Sequence, residues 1–369
     1  MTRAYPRYVF LCDGTSGHHV ALMRFLNERV ARPEEFEFLF VGVSCDADKV
    51  AGVANARSIG LFAHATAEDK ALLDHAERIV VVGLFDPALC LYLSRHKALM
   101  GKTVVVLHGG EFYSLRGRPP LRRRVFYAVR KRLVPLAYAV ATFTPADYER
   151  AKEYFTLPVR HYQAELPWHF EVTREQAAAP RAKDPRLVLV GHKAEPEDHT
   201  LEALDLLARY ADDDLEVIAP LSYGDDAYRD RVLARGREIF GDKFRPLLSW
   251  MDPVEYRTML QDVTDFVIDV DRQAGTFNVN LMLRLGCKVY LRRNTTLWDY
   301  FSDDLGCQVF NIDDIAHEDF ATFTDFGPEQ RLANHDAISA ALSPESCFEC
   351  WMRILGIEGM QAGDAPAGE

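Results

Sequence analysis

Short apolar runs recur along this chain, and a pattern of helical period follows most of them. Tyr8–Cys12, Glu37–Val41, Arg78–Val82, Thr103–Leu107 and Ala139–Phe143 read as strands, with helical stretches such as VALMRFLNERV and PALCLYLSRHKALM between them. Strands covered on both faces are apolar throughout, and an intervening helix supplies the crossover that parallel pairing requires. The segment TREQAAAPRAKDP, Thr173 to Pro185, breaks the period with Pro and Ala, after which the alternation resumes in RLVLVGH, LEVIAPL, DFVIDV, KVYLR and CQVFNI. Two consecutive β-α-β series predict two doubly wound α/β domains. The expected division is 1–172, a linker at 173–185, a second domain at 186–342, and a C-terminal helix with a frayed tail at 343–369. The length of 369 residues, more than one core usually supports, agrees with this division.

Ligands of such sheets bind beyond the carboxyl ends of the strands, where loops feed helix N-termini. The informative loops are therefore GTSGHH, HGGEFYS, VGHKAEPEDHT, APLSYGDDAY and DVDRQAGTFNVN. In the first, Gly14, Ser16 and Gly17 do not give the dinucleotide spacing, and no P-loop Lys-Ser/Thr follows. Gly14 lets the backbone come close to a polar or anionic group, and His18 and His19 stand where a helix must begin. Adjacent helical residues point about 100° apart, so one of the two faces a ligand while the other packs or caps.

In DVDRQAGTFNVN, Arg272 and Gln273 lie in the turn and Gly275 and Thr276 open a helix. An Arg and a helix N-terminus together hold a diphosphate without a metal. Gly191, His192 and Lys193 come to a loop at another strand end, Lys193 as a flexible point charge. Pro220, Ser222 and Tyr223 are placed to hold a base or ribose. His108, Gly109, Gly110 and Glu111 form a fourth such loop, where Glu111 either orients a hydroxyl or a histidine or is a solvent carboxylate at a tight turn.

Acidic residues (55) outnumber basic ones (43), and the formal charge of −12 argues against nucleic acid as a partner. A basic cluster then stands out: Arg116 to Arg132 holds eight Lys or Arg and no acid. If helical from Pro120, it sets Leu121, Val125, Val129 and Leu133 in a stripe beside Arg122, Arg123, Arg124, Arg130, Lys131 and Arg132, a pattern suited to an anionic membrane surface. No signal peptide or spanning helix is expected, which predicts a cytoplasmic protein. Cys347 and Cys350 form a lone C-x-x-C in a helical stretch and read as buried thiols. Asp225–Asp226, Asp303–Asp304 and Asp313–Asp314 read as turn residues, so no metal site is expected.

The layout resembles a GT-B glycosyltransferase, with two Rossmann-like domains facing across a cleft. GHHVALMRFLNE, HGGEFY, LVGH, APLSY with the following AY, DRQAGT, and Arg293 and Trp298 of RRNTTLW resemble the transferases that move 4-acetamido-4,6-dideoxygalactose (Fuc4NAc) from a dTDP donor to a lipid-linked disaccharide in enterobacterial common antigen synthesis. GTSGHH also resembles the glycine-rich first loop of the transferase that adds N-acetylglucosamine to the peptidoglycan lipid precursor. That likeness implies His18 near the reacting hydroxyl, while the closer family also matches His19. The E-x7-E spacing of many retaining GT-B enzymes is absent, since Arg272 and Asn280, or Ala274 and Met282, occupy the comparable positions.

The resemblance implies a peripheral, metal-independent glycosyltransferase without cofactor at the inner face of the cell membrane, moving a sugar from a nucleoside diphosphate donor to a lipid-linked or glycan hydroxyl. His18 or His19 would take the acceptor proton, with Asp13 or Glu111 orienting it. Arg272, Lys193 and helix N–H groups would stabilise the leaving diphosphate. A nucleotide-sugar 2-epimerase of the same fold and a noncatalytic nucleotide-sugar-binding protein are the alternatives.

Overall fold

The computed structural model describes residues 5–113, 120–167, 171–179 and 185–357. The chain forms two compact units, Met1–Pro167 with Pro344–Glu369, and Trp168–Ser343. Arg116 and Arg118 of the basic cluster, residues 180–184 of the expected linker and the tail from Met360 lie outside the described residues.

Unit 1 is built on a sheet of seven parallel strands: β1 (Tyr8–Asp13), β2 (Phe36–Val41), β3 (Ala56–Gly60), β4 (Arg78–Val82), β5 (Thr103–Leu107), β6 (Ala139–Thr142) and β7 (His161–Gln163), in the order β3-β2-β1-β4-β5-β6-β7. Unit 2 holds six: β8 (Arg186–Val190), β9 (Leu215–Pro220), β10 (Phe244–Leu247), β11 (Asp265–Ile268), β12 (Lys288–Leu291) and β13 (Phe310–Asn311), ordered β10-β9-β8-β11-β12-β13 and again parallel. Each sheet is doubly wound. Strand order reverses between β1 and β4 in unit 1 and between β8 and β11 in unit 2, which makes those two crevices the ligand positions of the fold.

The apolar runs of the sequence are the inner strands, whose two faces are covered by separate hydrophobic clusters in each unit. Three strands carry no such run: ARSIG of β3, HYQ of β7 and FRPL of β10 are all sheet edges. An edge is covered less and tolerates Arg, Gln and Pro, so periodicity does not mark it.

The helix Pro344–Leu355 returns to unit 1 and buries Phe348, Trp351 and Met352 in the cluster that contains Phe10 and Phe38 of β1 and β2. Trp351 Nε1 donates to Glu165 O (2.8 Å) and Cys350 Sγ to Gln163 O (2.9 Å). Cys347 and Cys350 are both buried, and burial pushes the Cys350 thiol up to about 12. The C-x-x-C is part of a packed helix face, and its thiols stay protonated.

Candidate functional site

At the β8/β11 crevice two tight turns meet. Gly191 (φ +69°) ends β8, and a Cβ there would lie 2.7 Å from Thr200 Oγ1. Gly275 (φ +67°) caps the helix Thr276–Arg284, and a Cβ there would lie 2.5 Å from Ile268 Cδ1 and 3.3 Å from His192 Cγ. Only glycine allows these backbones to approach so closely. The loop after β8 is braced by Asp198, a buried carboxylate whose Oδ2 accepts from His192 N (3.3 Å) and Lys193 N (3.1 Å) and lies 2.7 Å from His192 Nδ1. His192 Nδ1 is buried beside that oxygen but makes no hydrogen bond with it. No hydrogen bond or ion pair holds the Lys193 ammonium among the described residues.

Gln273 N donates to Thr296 Oγ1 (3.0 Å) and Gln273 Nε2 to Thr276 Oγ1 (2.9 Å), so Gln273 and Thr276 fix the entry into the helix Thr276–Arg284. Arg272 is half-buried and its Nε donates to Glu197 Oε2 at 3.2 Å, on the loop that also carries Lys193. Two cations and a helix N-terminus thus converge on one crevice. The next loop is joined to this one: Ala194 N donates to Tyr223 O (2.9 Å), Asp225 N donates to Ala194 O (2.6 Å), and Ala194 pairs with Gly224 as an isolated bridge. Ser222 is half-buried and Tyr223 exposed. Pro220, expected with them to hold a base or ribose, is buried in β9 and pairs with Leu247.

Sequence reasoning missed two braces here, Asp198 and the pair Arg292–Asp269, in which Arg292 Nη2 donates to Asp269 Oδ2 (2.8 Å) at the ends of β12 and β11. Nothing in PEDHT or DVDRQ separates an inward carboxylate from a turn residue.

The β1/β4 crevice of unit 1 holds the first loop. Gly14 (φ +70°) passes so near the next loop that a Cβ would lie 2.1 Å from Ser44 Oγ. Ser16 caps the helix Gly17–Arg29 by accepting from His19 N. This sets the roll of the first turn. His19 is buried with Nδ1 3.1 Å from Gly14 O, and since a carbonyl only accepts, Nδ1 holds the proton. His18 is exposed. Desolvation by surrounding protein, followed by repulsion from His19, lowers the His18 pKa to about 4, and contact with solvent moderates that shift. His108, at the end of β5, packs edge-on to His19 (5.3 Å) and Phe143 (5.0 Å). Its Nε2 is buried with no hydrogen-bond partner, and burial lowers its pKa to about 3.

Glu111 corrects the expectation of a carboxylate that meets solvent or a substrate. It is fully buried, accepting from Leu84 N (3.1 Å) and His108 N (3.0 Å), and so ties the loop after β4 to the loop after β5. Arg130 is corrected with it. It faces inward from the helix Leu121–Leu133, Nε donating to Leu84 O (2.8 Å) and Nη1 to Glu111 O (3.4 Å), with its guanidinium 3.9 Å from the Phe126 ring centre. Asp13 is half-buried near these acids. Burial first, then Glu111 and Asp86, raise its pKa to about 6, with Arg130 opposing them.

The apolar stripe of that helix also differs from expectation. Leu133 faces the core and Val129 packs beside it, while Leu121 and Val125 are exposed. Arg122, Arg123, Arg124, Lys131 and Arg132 are exposed with them. Among the described residues no helix is long and apolar enough to cross a membrane, and no group of three or more His, Cys, Asp or Glu is arranged to hold a metal ion.

A family model described as 4-alpha-L-fucosyltransferase, glycosyl transferase group 56, matches residues 8–357. Among solved structures, sucrose-phosphate synthase from Thermosynechococcus elongatus superposes with a TM-score of 0.71 at 12% identity, covering 96% of this chain and 100% of that one. HepE from Anabaena, in complex with UDP and glucose, gives 0.66 at 10% identity over 95% and 100%. The lipopolysaccharide outer core galactosyltransferase WaaB in its apo form gives 0.61 at 9% over 94% and 99%. At these identities the structural likeness shows the fold, GT-B.

Proposed function

Since the chain belongs to the glycosyl transferase group 56 family of 4-alpha-L-fucosyltransferases and is a GT-B glycosyltransferase, we propose that it moves a 4-acetamido-4,6-dideoxyhexose from a dTDP-linked donor to a lipid-linked or glycan hydroxyl. The observation that carries the donor half is the β8/β11 crevice, where Gly191 and Gly275 let the backbone close in and Lys193, Arg272 and the helix beginning at Thr276 offer positive potential. A diphosphate leaving group gains charge as its bond to the sugar breaks. Donors fixed in advance stabilise that charge without reorganising.

In unit 1, His18 is neutral at pH 7 and is the group we assign as the base that takes the acceptor proton. The exposed cations of the helix Leu121–Leu133 suit the phosphates of a lipid-linked acceptor and the inner face of a membrane, and the protein is assigned there as a peripheral enzyme.

The test is a transfer assay with a panel of nucleoside diphosphate sugars and an undecaprenyl-diphosphate-linked saccharide. Nucleoside diphosphate should be released only when donor and acceptor are both present, and fastest with the dTDP-linked sugar. Conversion of the donor alone would make the protein an epimerase. Faster turnover with UDP- or GDP-sugars would overturn the dTDP assignment.

A further inference from the structure

Trp250 is 74% exposed and Tyr223 46% exposed, with their ring centres 5.9 Å apart and their planes tilted by 54°. Tyr223 follows β9 and Trp250 follows β10, so both stand on the carboxyl rim of the unit 2 sheet, the rim that carries Lys193 and Gly275. Large exposed aromatics at a ligand-binding rim are costly to leave in water and mark a contact surface. We propose that Trp250, edged by Tyr223, is the platform on which the planar base of the donor nucleotide stacks. This rests on the donor reading given above and specifies its other end.

Distance and rigidity both favour a base. Strands are spaced about 4.8 Å apart, so the end of β10 lies roughly 10 Å across the sheet from the end of β8. That is the reach needed from a diphosphate at Gly191 and Lys193, across the ribose, to the base. The intermediate loop is not free to drift, because Tyr223 O accepts from Ala194 N, the residue that follows Lys193. The platform and the phosphate loop are therefore held in register through Ala194.

Another aromatic on this rim is less suited. Trp298, after β12, is half-buried and has the Arg293 guanidinium 5.0 Å from its ring centre, which covers a face that a base would need. The sugar of the donor is not the occupant assigned to Trp250, because it hangs from the distal phosphate, away from the base.

Calorimetric titration with dTDP and with UDP, neither of which carries a sugar, tests this on the parent, Trp250→Ala and Trp250→Phe. An exposed ring can be removed with the fold intact, which the unfolding temperature of each variant verifies. Loss of base stacking should weaken binding by about 5- to 150-fold in Trp250→Ala, and Trp250→Phe should recover most of that loss. Unchanged affinity in Trp250→Ala, with the parent binding normally, overturns the platform and leaves the donor reading standing. So does an equal loss in both variants, since any planar ring should serve. If the parent binds neither nucleotide, the donor reading itself fails and takes this inference with it.

Discussion

At the start of the helix Gly17–Arg29, the Ser16 cap sets the first turn so that His19 reaches back to Gly14 O and His18 stays at the surface. The two imidazoles therefore answer different experiments. Removing a general base costs roughly 10²–10⁴-fold in turnover, so His18→Ala should lower kcat by that order with donor affinity unchanged. The acid limb of the parent's rate profile should lie below the usual imidazole value near 6.5 and disappear in the variant. His19→Ala should instead lower stability by about 1–3 kcal/mol, because it leaves Gly14 O without its donor. The opposite pattern in steady-state kinetics and thermal unfolding would exchange the two roles. The pH dependence of stability has a sign that can be worked out. His18, His19 and His108 all have folded pKa values below the unfolded one, so the unfolded chain binds protons more readily and acid favours unfolding, from about pH 6.5 downward. Asp13 acts the other way, its contribution fullest below its unfolded value and lost as pH rises through about 6. His161 joins the histidines, and Glu111, Glu165, Asp265 and Asp269, whose pKa values burial also raises, join Asp13. The histidine contribution is therefore read by difference: between pH 7 and pH 4 the unfolding temperature of His108→Asn should fall less, or rise more, than the parent's. A slope equal to the parent's would remove His108 from this account. The histidine pair was legible in the sequence. The burial of Glu111 and Arg130 was not, because a charge that braces two loops looks in sequence like a charge in water.

At the scale of elements, the crevice of unit 2 is made by loops that are stitched together rather than by any one motif. The central strands announce themselves through unbroken apolar runs, and so do their terminal glycines; the edge strands and the stitches between loops do not. Gly224 is such a stitch. It has φ +124°, and a Cβ there would lie 2.1 Å from the carbonyl oxygen of Ala194, which is backbone and cannot turn aside. Gly224→Ala should therefore open the junction between the β8 and β9 loops, costing about 1–3 kcal/mol of stability and weakening nucleoside diphosphate binding more than it disturbs unit 1. Arg272 belongs to the same assembly. Its partner Glu197 is exposed and competes for the guanidinium that a diphosphate would use. Arg272→Ala should weaken nucleoside diphosphate binding by about 1.5–3 kcal/mol, whereas Glu197→Gln should leave it equal or tighter. Calorimetry on the pair decides the matter: weaker binding in Glu197→Gln would mean that the carboxylate itself serves the ligand.

For the whole molecule, the formal charge of −12 sets the terms of any encounter with a membrane. An anionic surface repels such a protein in most orientations, so attraction must come from a local patch, and its range is set by a Debye length of about 8 Å at physiological salt. The helix Leu121–Leu133 presents one: Arg122, Arg123, Arg124, Lys131 and Arg132 are exposed beside the exposed side chains of Leu121 and Val125. Arg130 lies on the buried side, braced to Leu84 and Glu111, and its loss would damage the fold rather than the surface. A charge-reversal test must therefore leave Arg130 in place. Each cation near an anionic lipid surface contributes roughly 1 kcal/mol, so reversing Arg122, Arg124 and Arg132 together should abolish sedimentation with phosphatidylglycerol-containing vesicles. The parent should release as salt is raised and should ignore purely zwitterionic vesicles. Turnover of a short soluble acceptor that carries no phosphate should survive the triple reversal, because the three are assigned to lipid and acceptor phosphates and not to the chemistry. Parent-like vesicle binding by that variant would show the basic face to be solvated surface, and the lipid-linked acceptor would then have to be recognised through its sugar alone.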